Sequence, residues 1–543
     1  MSSDLHFLTL AEAARQLRSG ALSPVELCEA YLERIDSLNP TLRAFLHVTE
    51  EAARAAASNA ERAIRANGPS SAMHGLPYAV KDVYDTAGVP TTGQSALAVD
   101  RVPPEDAECV SRLDLAGAVM LGKLATHELS TGGPSWDIPW PPARNPWRLD
   151  RFPGGSSSGA GAAVAAGLAP AALGGDTGGS IRLPAAYCGL VGIKPTFGRV
   201  SKRGVLPLSW TLDNCGPLAW TVEDAAMVLQ VIAGHDPGDP ASATQAVPDF
   251  SVDLERGVKG RTLGIVRHFY ERDVQASDAV VGAMDEAVRV FEALGARVVE
   301  VELPSLDAFQ ACYRTIVMAE AYSAYEAWLS TRPEAFGASF RYRILSGALI
   351  EASDYVSALR MQRELMNLTL AKLDTVDALL CATTPGPAPV QHRMTIKDSF
   401  RTPPLTLPFN LAQCPALSLC NGLSSDGLPL GMQLVGRPFD EATIIGIAAA
   451  YERATEWRDR RPELHPAAEP ERIPEPEPGG STDSVYSSLL ARMGLELPPE
   501  VVAELAAVMP LTDEIVELVR APRPYGDEPG PIFSLSPGGE ESA

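Results

Sequence analysis

Hydroxyl groups able to act as nucleophiles, and backbone able to support them, are concentrated in one stretch of this 543-residue chain. Gly154-Gly155-Ser156-Ser157-Ser158-Gly159 and Asp176-Thr177-Gly178-Gly179-Ser180-Ile181-Arg182 are two glycine-framed serine clusters, joined by a bridge of mostly Ala, Gly, Val and Leu. Small residues let backbone pack tightly, and consecutive N–H groups on a glycine-permitted turn can hold a tetrahedral oxyanion. Ser180 ends such a run of donors, which makes it the better nucleophile, and Ser156 could carry a proton between Ser180 and a base. Lysine is the type to search for that base, because only 7 of the 45 basic residues are Lys. Lys81 follows Leu76-Pro77-Tyr78-Ala79-Val80 and precedes Asp82, as a strand end pointing into a buried site would. Burial takes the charge off Lys far more easily than off Arg. Lowering its pKa from about 10.4 to about 7 costs roughly 4–5 kcal/mol of differential solvation. The competing reading is a surface Lys81–Asp82 pair.

Other chemistries fit less well. Gly155-Ser156-Ser157-Ser158-Gly159 matches the G-x-S-x-G nucleophile elbow with Ser157 as nucleophile, but that elbow needs a preceding strand, and Arg151-Phe152-Pro153-Gly154 reads as loop. Its triad would draw on His235, His268, His392 or His465. No lysine has Ser three residues before it, so the S-x-x-K pair is absent. Gly117 to Lys123 approaches a phosphate-binding loop but fails at Leu124, where Ser or Thr should stand. The eight histidines show no metal-ligand spacing, and neither a metal nor another cofactor is expected.

These groups require a scaffold. Thr9-Leu10-Ala11-Glu12 and Ser23-Pro24-Val25-Glu26 open two helices, and a third runs from Glu50 to Ala66. Short apolar runs at 78–80, 118–121, 262–266, 297–301 and 377–381 then alternate with helical patterns such as 280–294, which argues an α/β sheet covered on both faces. Leu306 to Lys372 reads mainly as long helices. Pro466 to Gly480 is Pro- and Glu-rich, as an extended linker would be, and is followed by short amphipathic helices at 485–493, 501–509 and 511–519. The expected organisation is a main domain over 1–465, a linker over 466–482, a short-helix appendage over 483–535 and a disordered tail over 536–543. A hydrophobic content of 45% suits a large core, whereas a net charge of -23 disfavours nucleic acid. Scattered cysteines, no basic-apolar leader and no membrane-length apolar run point to a cytoplasmic protein with reduced thiols and no membrane contact.

The serine clusters, with Leu183-Pro184 and Gly192-Ile193-Lys194-Pro195-Thr196, closely resemble the amidase signature family. Ser156 and Ser180 have the spacing of its two catalytic serines. Gly75 to Asp82 is similar to its lysine motif, and the likeness extends through Gly427 to Gly436, covering roughly residues 5–462. The resemblance implies the amidase signature fold: one α/β domain around a large mixed central sheet, with helices on both faces. It also implies a Ser-cisSer-Lys triad, in which Ser180 attacks an amide carbonyl, Ser156 relays the proton after a cis peptide bond, and Lys81 is the base. Thr177, Gly178, Gly179 and Ser180 would supply the oxyanion hole, with Ser157, Asp176 and Arg182 as supporting partners.

The implied activity is hydrolysis of a linear carboxamide to a carboxylate and ammonia or amine. The rivals within the family are an amidotransferase A-type subunit, which takes ammonia from glutamine, and a carboxybiuret, urea-derivative or carbamate hydrolase. Those A-type subunits typically read Ala-Ser-Ser-Leu-Asp where this chain has Leu206-Pro207-Leu208-Ser209-Trp210-Thr211-Leu212-Asp213. Thr131, Gly132, Gly133 and Trp210 are the candidate pocket residues. The sequence leaves the oligomeric state open, a homodimer being the family's common case, and the C-terminal appendage resembles a fused small accessory subunit that wraps the core or mediates contacts.

Overall fold

The computed structural model describes residues 5–394, 402–464 and 497–521, with residues 486, 489, 490 and 495. Helices over the described residues are α1 (Leu10–Ser19), α2 (Pro24–Leu42), α3 (Glu50–Asn67), α4 (Glu108–Leu115), α5 (Ser158–Ala165), α6 (Arg182–Cys188), α7 (Val222–Ile232), α8 (Asp278–Ala293), α9 (Leu306–Leu329), α10 (Ala338–Ile344), α11 (Ala352–Leu373), α12 (Leu407–Leu411), α13 (Glu441–Ala454) and α14 (Pro499–Val519). The capping residues act where the sequence places them. Thr9 accepts from the Glu12 N–H, and Ser23 from those of Val25 and Glu26, satisfying donors that a helix start leaves without partners.

Among the described residues eleven strands form one sheet: β1 (Phe45–Val48), β2 (Pro77–Lys81), β3 (Val119–Leu124), β4 (Ala171–Gly175), β5 (Val191–Lys194), β6 (Cys215–Ala219), β7 (Thr262–Ile265), β8 (Arg297–Glu300), β9 (Ala378–Ala382), β10 (Ala416–Leu423) and β11 (Pro429–Val435). Their order is β1-β3-β2-β4-β6-β5-β10-β11-β9-β7-β8. The sheet is mixed. β2 runs parallel to β3 and β4, β7 runs parallel to β8 and β9, and the strands between these groups pair antiparallel. The expected strands at 78–80, 118–121, 262–266, 297–301 and 377–381 are all present.

Parallel pairing of β2 with β4 is what assembles the site. Val80 pairs with Leu173, so both strands end on the same edge of the sheet, delivering Lys81 and the segment after Gly175 to one place. Helix α5 carries Ser158-Gly159-Ala160-Gly161-Ala162-Ala163 wholly buried, and its lack of bulk lets it lie close under β2, β4 and α6.

The C-terminal region differs from expectation. The separate helices expected at 501–509 and 511–519 are one helix, α14, which continues through Pro510. Proline removes one backbone donor and clashes within a helix, but packing of α14 on α9, α10 and α11 offsets that cost. Arg520 at its end is paired with Asp354 through Nε at 2.8 Å and the guanidinium tip at 3.0 Å. The linker at 466–482, the tail at 536–543 and most of the 485–493 segment lie outside the described residues. No helix among the described residues is long and apolar enough to cross a membrane.

Candidate active site

Lys81 is 1% exposed, and its Nζ lies 2.7 Å from Ser156 Oγ. That geometry rules out the surface pairing with Asp82, whose carboxylate instead accepts from Thr92 and faces the buried Lys123 at 3.4 Å. Burial disfavours the Lys81 ammonium and lowers its pKa to about 7, against the opposing pull of Asp213, Cys215 and Asp176. A group held there exchanges a proton readily near neutrality.

Ser180 Oγ accepts the backbone N–H of Ser156 at 2.9 Å. The three groups thus form one line, with the Ser156 residue as its middle member. Ser157 has another job: its hydroxyl donates to Gly175 O at 3.2 Å and accepts the Gly175 N–H at 3.1 Å, tying the start of α5 to the end of β4. With both roles occupied and no strand before it, Ser157 is not an elbow nucleophile.

The turn before Ser156 departs from expectation. No cis peptide bond occurs among the described residues, so the expected cis bond at Ser156 is replaced by a trans backbone. The sharp approach is made instead by positive φ angles of 105° at Gly154 and 52° at Gly155, a region glycine enters without steric cost. A Cβ on Gly155 would stand 2.8 Å from Ser180 Cα, so only glycine brings the two serine clusters into contact.

Asp176 organises the second cluster. Its carboxylate accepts the Gly179 N–H at 2.7 Å, the Ile181 N–H at 3.2 Å, and Arg182 through Nε at 3.0 Å and a terminal nitrogen at 3.1 Å. Asn410 Nδ2 adds a further donor at 2.8 Å, and Arg182 also reaches Thr406 O, Gln433 Oε1 and Asn410 Oδ1. Burial pushes the Asp176 carboxyl upward, but the Arg182 charge and hydrogen bonds outweigh it and hold the pKa at about 2. A carboxylate is a strong acceptor, so in this arrangement the Gly179 N–H is engaged by Asp176, which sets it apart from the other expected oxyanion donors, Thr177, Gly178 and Ser180.

Thr177 Oγ1 donates to Asp213 at 2.5 Å, and the Tyr313 hydroxyl stands against Gly178. Asp213, Tyr313, Thr406, Asn410 and Gln433 carry no motif-like spacing to the serines. They arrive from distant segments; of the five, Asp213 falls in the run Leu206 to Asp213 and Gln433 in the run Gly427 to Gly436.

A cavity of about 350 Å³ reaches Lys81, Asp176 and Thr177, with Val83, Leu206, Pro207 and Trp210 among its walls. Trp210 is half exposed at its mouth, and its flanks are clamped. Ser209 Oγ and Thr211 Oγ1 both donate to the buried Glu320 carboxylate, which also accepts the Tyr355 hydroxyl at 2.8 Å. Outside that lining, His127 N–H donates to Ser156 O at 3.1 Å ahead of Thr131, Gly132 and Gly133, and Ser339 of α10 packs over Gly132. Burial, followed by the charges of Lys81 and Arg343, pushes the His127 pKa down to about 3, so this histidine is neutral beside the serines. Among the described residues no group of three or more His, Cys, Asp or Glu side chains could hold a metal ion.

Residues 26–445 match the family model for amidases. The chain is 41% identical over 488 residues to the A-type subunit of glutamyl-tRNA(Gln) amidotransferase from Chloroflexus aggregans, covering 85% of this chain and 99% of that one. It superimposes on the native peptide amidase of Stenotrophomonas maltophilia with a TM-score of 0.73 and 31% identity, covering 84% and 98% of the two chains. A bacterial aryl acylamidase of the amidase signature family gives a TM-score of 0.77 at 26% identity, covering 84% and 99%. These likenesses lend no support to reading the C-terminal extension as a fused accessory subunit.

Proposed function

Because the chain belongs to the amidase family, we propose that it hydrolyses a linear carboxamide through an acyl-enzyme on Ser180. The observation that carries this reading is the 2.7 Å contact between buried Lys81 and Ser156, whose amide touches Ser180 Oγ. Neutral Lys81 takes a proton from Ser156 as Ser156 takes one from Ser180, and Ser180 Oγ attacks the amide carbon. The amides of Thr177, Gly178 and Ser180 face the developing oxyanion, and such a donor is typically worth about 10²–10³ in rate. Lys81 then returns the proton through Ser156 to the departing ammonia or amine. Water attacks the ester carbon and restores Ser180.

Asp176 and Arg182 act through geometry in this scheme. They fix the turn that carries the donors. Trp210, held by its clamped neighbours, walls the cavity beside Lys81 and is assigned to substrate selection.

One observation favours a second reading: the 41% identity to an A-type amidotransferase chain over nearly its whole length. Such a chain would release ammonia from glutamine for a partner. Trp210 and the net charge of -23 favour a stand-alone hydrolase instead. A hydrolysis screen of the purified chain across aliphatic amides, aryl amides, ureas, carbamates and glutamine separates them. Turnover of a carboxamide by the chain alone, lost in Ser180→Ala, supports the proposal. Turnover confined to glutamine favours the second reading, and turnover of none contradicts the first.

A further inference from the structure

Building on the hydrolase reading, we propose that Asp213 is a positioning residue that ties the fit of a substrate against Trp210 to the oxyanion donors. Selection for amides large enough to reach Trp210 is then expressed in the chemical step as well as in binding. β4 and β6 pair antiparallel, with Gly175 opposite Cys215. The turn that leaves β4 at Asp176 and the loop that enters β6 through Asn214 are therefore neighbours. Asn214 exchanges both backbone hydrogen bonds with Asp176, at 2.8 and 3.1 Å, and its side chain donates to Asp176 O at 3.3 Å.

Asp213 divides its carboxylate between those two segments. Oδ1 accepts the Thr177 hydroxyl at 2.5 Å, and Oδ2 accepts the N–H groups of Leu208 at 2.8 Å and Ser209 at 2.9 Å. Hydrogen bonds to an ionised acceptor are the strong ones, and the two oxygens of one carboxylate move together. Trp210 sits inside the loop that Oδ2 closes, and its carbonyl accepts a hydrogen bond from Lys202 Nζ at 2.6 Å. Ser209 and Thr211 on either side are buried, and their hydroxyls are held by Glu320. The indole is left half exposed, walling the cavity together with Thr177 and Asp213. A loop fixed at this many points shifts as a body, and its displacement reaches Thr177, whose amide is among the expected oxyanion donors.

If Asp213 only closed its own loop, substitutions at Trp210 and Thr177 would act independently. Non-additivity between them is the signature of the link. Thr177→Val removes the hydroxyl that reaches Asp213 and keeps the backbone amide, whereas Thr177→Ser keeps both.

The test labels Ser180 in the full chain with a small and a bulky fluorophosphonate, and separates the saturating rate kinact from the half-saturating concentration KI. Trp210→Ala should lower kinact for the bulky probe about 3- to 10-fold in the wild-type and Thr177→Ser backgrounds, and leave the small probe unchanged. Thr177→Val should slow both probes about tenfold as the turn shifts, and in that background Trp210→Ala should change KI alone. An equal drop in kinact in Thr177→Val overturns the proposal, as does an effect confined to KI in the wild type or lost in Thr177→Ser. Labelling needs Ser180 and its donors but no amide, so failure of the link is distinguishable from failure of the hydrolase reading; a wild type that takes no label overturns both.

Discussion

The serine-lysine centre and the helical wall of α9, α10, α11 and α14 are built on different principles. In the centre, small residues bring backbone against backbone, and a fully buried Asp176–Arg182 pair collects donors and acceptors from segments more than 200 residues away. In the wall, large side chains pack helix on helix, and the fastening at its end, Arg520 with Asp354, leaves Arg520 46% exposed. Substitution in the first region strands a charge or meets backbone, and both are expensive. Substitution in the second exchanges one side-chain contact for another. The lesson is a division of labour: under the proposed function the close-packed centre holds the reaction, while the Trp210 loop that Glu320 of α9 clamps shapes the cavity.

Removing the base should give the largest effect. Lys81→Ala is expected to lower kcat/KM by about 10²–10⁴-fold at neutral pH, with a smaller loss at high pH. In the wild type kcat/KM should rise through an apparent pKa of about 7, where Lys81 becomes neutral. The stability linkage has the opposite sign from the usual stabilising lysine. Between the folded value of about 7 and the ordinary value, the unfolded chain holds a proton that the folded chain lacks, so this group's contribution rises with pH. Below pH 7 its burial penalty is present in full, and Lys81→Met should raise thermal stability most there.

Asp176→Asn comes next. It leaves Arg182 buried without its counter-charge and is expected to cost about 3–5 kcal/mol by chemical denaturation, together with activity. Trp210→Ala opens the cavity mouth. It should alter KM and the range of amides accepted by about 3- to 10-fold while leaving kcat on small amides within that range. The smallest effect is expected for Arg520→Ala, at or below about 1 kcal/mol in a melt and with no change in kcat. A catalytic loss in Arg520→Ala as large as that in Asp176→Asn would erase the distinction between the two regions.

Much of the centre is legible in the sequence because its chemistry lies in contiguous residues. The two serine clusters and Lys81 stand out by type and spacing, and scarcity of lysine is a fair guide: Lys81, Lys123 and Lys194 are all buried. Only contact with Ser156 separates the first from the other two, and contact is invisible in sequence. Strands such as Ala171–Gly175 and Cys215–Ala219 escape a sequence reading because buried, glycine-containing strands lack both the alternation and the β-branched residues that mark a strand. Asn410 and Thr406 escape it because the fold, not local pattern, brings them to Arg182, and Gln433, though within the run Gly427 to Gly436, gives no sign there of its partner. Gly179 shows a subtler limit. Its position among the donors is readable, but the competing carboxylate of Asp176 emerges only once the turn has closed. The continuous α14 reads as two helices because Pro510 normally ends a helix, and the packing that overrides it is tertiary.

The central claim is that Ser180, and neither Ser156 nor Ser157, carries the acyl group. Labelling with an active-site-directed fluorophosphonate, followed by peptide mapping, tests it most directly. The predicted result is one adduct on Ser180 in the wild type, none in Ser180→Ala, and slowed labelling at neutral pH in Lys81→Ala. An adduct on Ser156 or Ser157, or labelling that persists in Ser180→Ala, would contradict it.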